Sequence, residues 1–363
     1  MTAVVQQRDE EHYDVVVPTV GRPSLRQLLD ALADQRRTLP GRVFLVDDRP
    51  APSSPLLNEG PPPGLDVIVV RGGGAGPAAA RNAGWRAASA PWVAFLDDDV
   101  MPGPEWSTDL AADLRACSDD VAAVQGRIRV PLPIDRRPTD WERNVAGLEA
   151  AAWATADMAY RRPALVRLGG FDERFPRAYR EDADLALRAM DAGYQLRRGR
   201  RQITHPVLAA PWNVSLAKQA GNADDALMDR VHGRGWRERA QAPAGAFRHH
   251  VGVTAAGAGA VLLVVSGGGR ARRTLVMVTA TTWVAGTARF AWRRIAPGPR
   301  TPREVAAMAV TSALIPPAAL WHRARGWWGA RGAAPWPAAV TAGATHASPD
   351  GDAPAREPAA VAF

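Results

Sequence analysis

Between residues 13 and 96 the chain alternates short apolar runs with segments of helical period. Asp14-Val15-Val16-Val17 reads as a buried strand closed by Pro18. From Pro23 to Arg37, Leu25, Leu28, Leu29 and Leu32 recur at the spacing of one helix face, which predicts a helix. Val43 to Val46 predicts a second strand ending on Asp47-Asp48, and Val67 to Val70 a third. Trp92 to Leu96 predicts a fourth, ending on Asp97-Asp98-Asp99. Residues 50–64 are rich in Pro, Gly and Ser and read as a loop. Pro77 follows Gly72-Gly73-Gly74-Ala75-Gly76 and suits the first turn of a helix reaching about Ala88. Uniformly apolar strands alternating with helices predict an α/β fold with a parallel sheet covered on both faces.

Residues 121–205 read as mixed strands and helices, with a short helix from Arg180 to Ala192 that carries acids in its first turn and ends at Gly193. A further helix is predicted from Leu216 to Arg230. Beyond Arg248 three apolar stretches follow: Val251–Ser266, Leu275–Trp292 (interrupted by Arg289) and Val305–Trp321 (broken by Pro316-Pro317). A bilayer span takes about 20 apolar residues. Two marginal spans, an interfacial helical region held by Arg and Trp, and a soluble helical subdomain all fit this pattern. From about Gly332 the chain is Ala/Pro-rich without periodicity, which predicts a disordered tail.

Charge narrows the partners. A formal net charge of +8 points to an acidic partner, either phosphates or an anionic membrane surface. Nucleic acid is not expected, because no helix-turn-helix, zinc-finger or aromatic-rich RNA-binding motif occurs. Lys218 is the single lysine; the remaining base is arginine. Cys117 is the single cysteine, which excludes an intrachain disulfide and favours a reducing, cytoplasmic setting. Residues 1–12 are polar and acidic, without the apolar core of a signal peptide.

The carboxylates carry the candidate chemistry. Crowded like charges stay ionised when a cation or solvent neutralises them, so Asp97-Asp98-Asp99 at a strand end is either a metal site or a solvated turn. Asp47 and Asp48 end a neighbouring strand and would face the same crevice; turn formation with Pro50 explains them equally well. The glycine run 72–76 could cradle a phosphate, but it lacks the dinucleotide fingerprint and reads more simply as a tight turn. Glu181, Asp182 and Asp184 open a helix, where the helix dipole favours acids and where a general base has a good platform. His205, with two carboxylates, would complete a mixed O/N divalent site.

Taken in order, these segments resemble the family 2 glycosyltransferases. Val15-Val16-Val17-Pro18-Thr19 is similar to the family's opening strand and turn, and Val46-Asp47-Asp48 to its nucleoside-binding strand end. Ala80-Arg81-Asn82-Ala83-Gly84 matches the helix after the third strand. Phe95-Leu96-Asp97-Asp98-Asp99 matches the D-x-D metal motif. Ala159-Tyr160-Arg161-Arg162 and Gly169-Gly170-Phe171-Asp172-Glu173 resemble the acceptor side. Arg180-Glu181-Asp182-Ala183-Asp184-Leu185 resembles the E-D motif of the catalytic base. Arg49-Pro50 departs from the Gly-Ser frequent after the Asp pair, and Asp157 stands where Asn is common.

The resemblance covers about residues 13–235. It implies a GT-A (nucleotide-diphospho-sugar transferase) fold, a Rossmann-like mixed sheet flanked by helices, followed by a C-terminal helical region at 236–331. It implies metal-dependent, inverting transfer of a sugar from a nucleoside-diphosphate sugar to a hydroxyl acceptor, a glycan or lipid-linked, at the inner face of the cell membrane. The implied metal ligands for Mn²⁺ or Mg²⁺ are Asp97, Asp99 and His205. The implied catalytic residues are Asp182 and Glu181. Donor contacts are assigned to Pro18, Thr19, Asp47, Asp48, Arg81 and Asp98, with Asp157 against the sugar. A nucleotidyltransferase and a non-catalytic sugar-nucleotide-binding module at the membrane are the competing readings.

Overall fold

The computed structural model describes residues 12–37, 39, 41–265 and 269–335. The expected flexible N-terminus (1–12) and disordered tail (332–363) lie outside the described residues, apart from His12 and 332–335. In chain order the elements are β1 (Tyr13–Thr19), α1 (Ser24–Ala33), β2 (Val43–Asp47), β3 (Val67–Arg71), α2 (Pro77–Ala87), β4 (Trp92–Leu96), β5 (Met101–Pro102), α3 (Trp106–Arg115) and β6 (Val121–Arg129). There follow α4 (Asp140–Ala146), β7 (Asp157–Arg161), α5 (Arg162–Leu168), α6 (Glu181–Asp191) and β8 (Gln195–Thr204). The chain continues with α7 (Val214–Ala217), α8 (Asn222–His232), α9 (Trp236–Arg239), α10 (Phe247–Val265), α11 (Arg270–Ile295) and α12 (Pro302–Gly329).

Two compact units result. Among the described residues the first comprises 12–128 and 153–205, and the second 129–152 and 206–335. The expected boundary at 235 therefore moves to 205/206, because α8 packs on α12. Residues 129–152, expected in the first domain, also join the helical unit.

The first unit is a mixed sheet of order β3-β2-β1-β4-β7-β6-β8-β5, flanked by helices, as a GT-A fold requires. β1 to β4 are parallel, as their uniform apolarity predicts, whereas β7 runs antiparallel to both β4 and β6. The all-parallel expectation thus holds only for the first four strands. Between β1 and β4 the strand order reverses, which opens a crevice at the carboxyl ends of these strands. Asp14 anchors the other end of β1. Its carboxylate accepts from the N–H groups of Arg42, Ser89 and Ala90 at 2.8–2.9 Å.

Gly84 brings α2 down onto the sheet. A Cβ there would overlap the side chains of Val16 on β1 and Val46 on β2. Gly170, at φ +74°, gives similar room to Asn82 and Trp85.

In the second unit the predicted helix 216–230 is broken into α7, a 3₁₀ turn (Lys218–Gly221) and α8. The expected break at Pro316-Pro317 does not occur; α12 runs through both prolines. Ile315, Pro316 and Ala319 are buried there, so packing of this face outweighs the lost backbone hydrogen bonds. Arg294, just beyond the apolar stretch that ends at Trp292, is buried. It donates to Asp140 (2.8 Å), Ser215 (2.8 Å), Thr311 (2.9 Å) and Ser312 (3.0 Å).

Gly84→Ala sets helix propensity against packing. Propensity favours Ala by about 1 kcal/mol, whereas overpacking costs about 1–3 kcal/mol. The expected outcome is a lower urea midpoint for the variant; an unchanged or higher midpoint would show that the helix–sheet contact is not tight.

Candidate active site

The crevice is lined by strand ends that carry acids. Thr19, the last residue of β1, donates to Asp98 at 2.6 Å, and Arg22 donates to Asp98 (2.8 Å) and Asp99 (3.3 Å). Asp98 is therefore buried and satisfied, and holds the turn after β4 rather than facing a ligand. Its neighbours differ. The Asp97 side chain is 30 % exposed and that of Asp99 is 12 % exposed.

His205 reaches the acids through a short ladder. Met101 pairs with Thr204 in the antiparallel β5–β8 contact, so Asp99 and His205 meet at the same end, with His205 Nε2 3.6 Å from Asp99 Oδ1. One ligand atom from each of Asp97, Asp99 and His205 lies within 4.8 Å of the others. Two carboxylates and an imidazole in this arrangement suit a divalent ion. Burial, reinforced by the charge of Asp97, raises the pKa of Asp99 against the pull of His205 and Arg22. A cation would relieve that repulsion.

Arg81 joins this cluster to α6. Its guanidinium is 2 % exposed and donates to Asp97 Oδ1 at 2.9 Å and to Glu181 Oε1 at 2.8 Å. Consecutive helix positions point about 100° apart. Glu181 is consequently buried against Arg81 while Asp182 remains half-buried. Burial and the charge of Asp182 push the Glu181 carboxyl up to about 8, with Arg81 opposing. Burial also raises Asp182, against the N–H of Ala183, which donates to it at 2.6 Å. Arg180, at φ +80°, occupies the left-handed region just before α6 and stacks on Tyr179 at 4.2 Å.

The other expected donor residues separate by role. Asp47 sits beside Thr19 in the β1–β2 register, and Arg49 clamps it through two bonds of 2.8 Å. Arg49's hydrogen bonds hold Asp47 below the usual carboxylate range. Asp48 accepts from the N–H groups of Ala75 (3.1 Å) and Gly76 (3.0 Å), so it fixes the glycine turn. Pro18 is half-buried in β1. Asp157 needs correction as a sugar contact. It is fully buried, with Arg201 donating to it at 2.8 Å and Trp106 at 3.1 Å, which places it in the core. Arg81, expected at the diphosphate, and Glu181, expected in catalysis, are also enclosed; their geometry is that of positioning residues. Asp184 is taken by Arg188.

Sequence reasoning missed Arg22 and Arg49. An arginine one to three residues beyond an apolar strand that ends near acids was the available signal. The A-R-N-A-G segment is accounted for residue by residue. Arg81 bridges two acids, Asn82 donates to Phe171 O at 2.8 Å and accepts from Phe171 N–H at 2.8 Å, and Gly84 meets the sheet.

Residues 14–167 match the family model described as glycosyl transferase family 2. The pre-mycofactocin glycosyltransferase of Mycobacterium tuberculosis is 34 % identical over 135 residues, covering 34 % of this chain and 28 % of that protein. The succinoglycan biosynthesis protein ExoM of Rhizobium meliloti is 33 % identical over 124 residues, covering 32 % of this chain and 39 % of that protein. The matches thus span well under half the length of these curated relatives. Among solved structures, GalNAc-T7 with UDP, GalNAc and Mn²⁺ aligns at TM-score 0.44 and 15 % identity, over 64 % of this chain and 55 % of that one. S. aureus TarS 1–349 in complex with UDP aligns at TM-score 0.43 and 15 % identity, over 86 % and 92 %. The match to the glycosyl transferase family 2 model thus covers residues 14–167, less than half of this chain.

Glu181 gives the chain a pH signature. Its carboxyl rises from an ordinary 4.5 to about 8, so between these values the folded state holds a proton that the unfolded state has lost. That contribution to stability is complete below about 4.5 and is lost as pH rises through about 8. Denaturant titrations across this window should show a falling stability that Glu181→Gln flattens. Identical slopes in both proteins would remove Glu181 as the source.

Proposed function

We propose that this chain, which carries a family 2 glycosyltransferase domain, is a metal-dependent inverting glycosyltransferase. The donor is a nucleoside-diphosphate sugar, and the acceptor a hydroxyl of a lipid-linked or cell-envelope glycan. The observation that carries this reading is the convergence of Asp97, Asp99 and His205 at the strand ends, tied through Arg81 to the helix that bears Asp182.

Asp97, Asp99 and His205 would hold Mn²⁺ or Mg²⁺; when bound, the ion supplies neutralisation of the diphosphate leaving group. Thr19 and Asp47, adjacent at the ends of β1 and β2, form the wall against which the nucleoside is held. Asp182 takes the proton of the acceptor hydroxyl as its oxygen attacks the anomeric carbon. The bond from that carbon to the diphosphate oxygen breaks, and the nucleoside diphosphate departs with the electron pair. Attack from the opposite face inverts the anomeric centre. A raised Asp182 pKa suits a base that must also release its proton near neutral pH.

The helical unit supports a place at the cytoplasmic face of a membrane. α10 and α12 are long and apolar enough to cross one by length and composition, and Val261, Leu262, Val264 and Val265 of α10 are exposed. The curated relative ExoM is named for succinoglycan biosynthesis, which is in keeping with an envelope glycan as product.

Calorimetry with a panel of nucleoside diphosphates, with and without Mn²⁺, tests the reading. One nucleotide should bind only with metal, and Asp99→Ala should abolish that binding. Asp182→Asn should keep donor affinity and lower kcat by about 10²–10⁴. In wild type, kcat/KM should fall as pH drops through a value above the ordinary 3.8 of an aspartate. Metal-independent binding, or full turnover by Asp182→Asn, would refute the assignment, and release of pyrophosphate would indicate nucleotidyl transfer.

A further inference from the structure

The second unit contains a cavity of 660 Å³ that takes no part in the chemistry above. Lys218, Trp141 and Arg303 line it, together with His250, Phe290 and Met308. Three features of this lining point to a ligand. Lys218, the only lysine of the chain, has no carboxylate partner among the described residues; it lies over the Trp141 ring at 4.9 Å and donates to Asn144 at 3.3 Å. His250 is 6 % exposed, and its Nδ1 has no hydrogen-bond partner among the described residues. An imidazole nitrogen so enclosed and unmatched costs stability unless something pairs with it. Arg303, exposed on the same lining, likewise has no carboxylate partner among the described residues.

The two acids of the lining are already engaged. Asp140 accepts from Arg294 at 2.8 Å, and Glu304 accepts from the Asp140 N–H at 2.8 Å. The lining therefore offers an anion the charges of Lys218 and Arg303 and, from His250, whose pKa burial pushes down to about 4, a neutral imidazole, beside an apolar floor of Phe290, Met308 and Ile315. A compact ammonium suits a phosphate as a point charge, and guanidinium adds directional donors. We propose that this cavity binds the phosphate group of an anionic lipid. The apolar floor, Phe290 of α11 with Met308 and Ile315 of α12, is where the lipid chain would lie, and α10 and α11 also carry exposed apolar residues at Leu262, Val265, Met277 and Val278. The site stands whether or not the first unit transfers sugar.

The single lysine makes the test direct. Reductive ¹³C-methylation keeps its charge and labels one side-chain amine, identified by loss of its signal in Lys218→Arg. Hexyl phosphate should shift this signal saturably, hexanol should leave it in place, and inorganic phosphate should require at least about tenfold higher concentration, one step of the affinity scale. Arg303→Gln, at an exposed position, and His250→Phe should each weaken hexyl phosphate about fivefold or more while the melting temperature stays within a few degrees or rises. Equal shifts with hexanol, no shift with hexyl phosphate, or unchanged affinity in both variants would overturn the proposal. Equal affinity for inorganic and hexyl phosphate would assign the site to free phosphate and overturn the lipid.

Discussion

Arg81 is a buried cation held between two carboxyl groups, and the catalytic geometry proposed here hangs on it. Removing a guanidinium from water costs several kcal/mol, recovered only when its partners are close and well aligned. Asp97 and Glu181 meet that condition at 2.9 and 2.8 Å. One belongs to the strand-end acid cluster and the other to the first turn of α6, so a single side chain fixes the spacing between the proposed metal ligands and the helix that presents Asp182. The arrangement also explains why Glu181 precedes Asp182: the buried member of the pair holds the helix, and the half-exposed member is left to act.

Around this bridge the first unit satisfies its acids one by one. Asp98 is held by Thr19 and Arg22, Asp47 by Arg49, and Asp48 by two backbone N–H groups. Of the acids around this bridge, Asp97, Asp99 and Asp182 keep partial exposure. Repulsion is thereby concentrated where a cation or a transferred proton can relieve it.

Much of this was legible in the sequence. The strands β1 to β4 are uniform apolar runs, and each of the acids that matter lies at the end of one or in the first turn of a helix. What periodicity could not show was occupancy. Asp157 and Asp99 are both acids near a strand end. Only the fold reveals that Arg201 of β8 turns inward to consume the first. The antiparallel half of the sheet was hidden for a related reason. β8 is mostly polar, and one of its two neighbours in the sheet, β5, is a two-residue strand too short to carry any pattern. In the helical unit, the break expected at Pro316-Pro317 is a local signal overridden by burial.

That two-residue partner, β5, has a further consequence. On its β5 side, the strand that leads to His205 is held by two rungs of ladder, Met101 to Thr204 and Pro102 to Ile203, and one of those residues, a proline, has no amide to contribute. Such a short ladder opens locally far more often than the long parallel strands beside it. If Asp97, Asp99 and His205 hold an ion as proposed, its occupancy and closure of this strand pair are thermodynamically linked. Amide exchange at the ends of β5 and β8 would then report the loading of a site some residues away, slowing as the ion binds even if no atom of the crevice visibly moves.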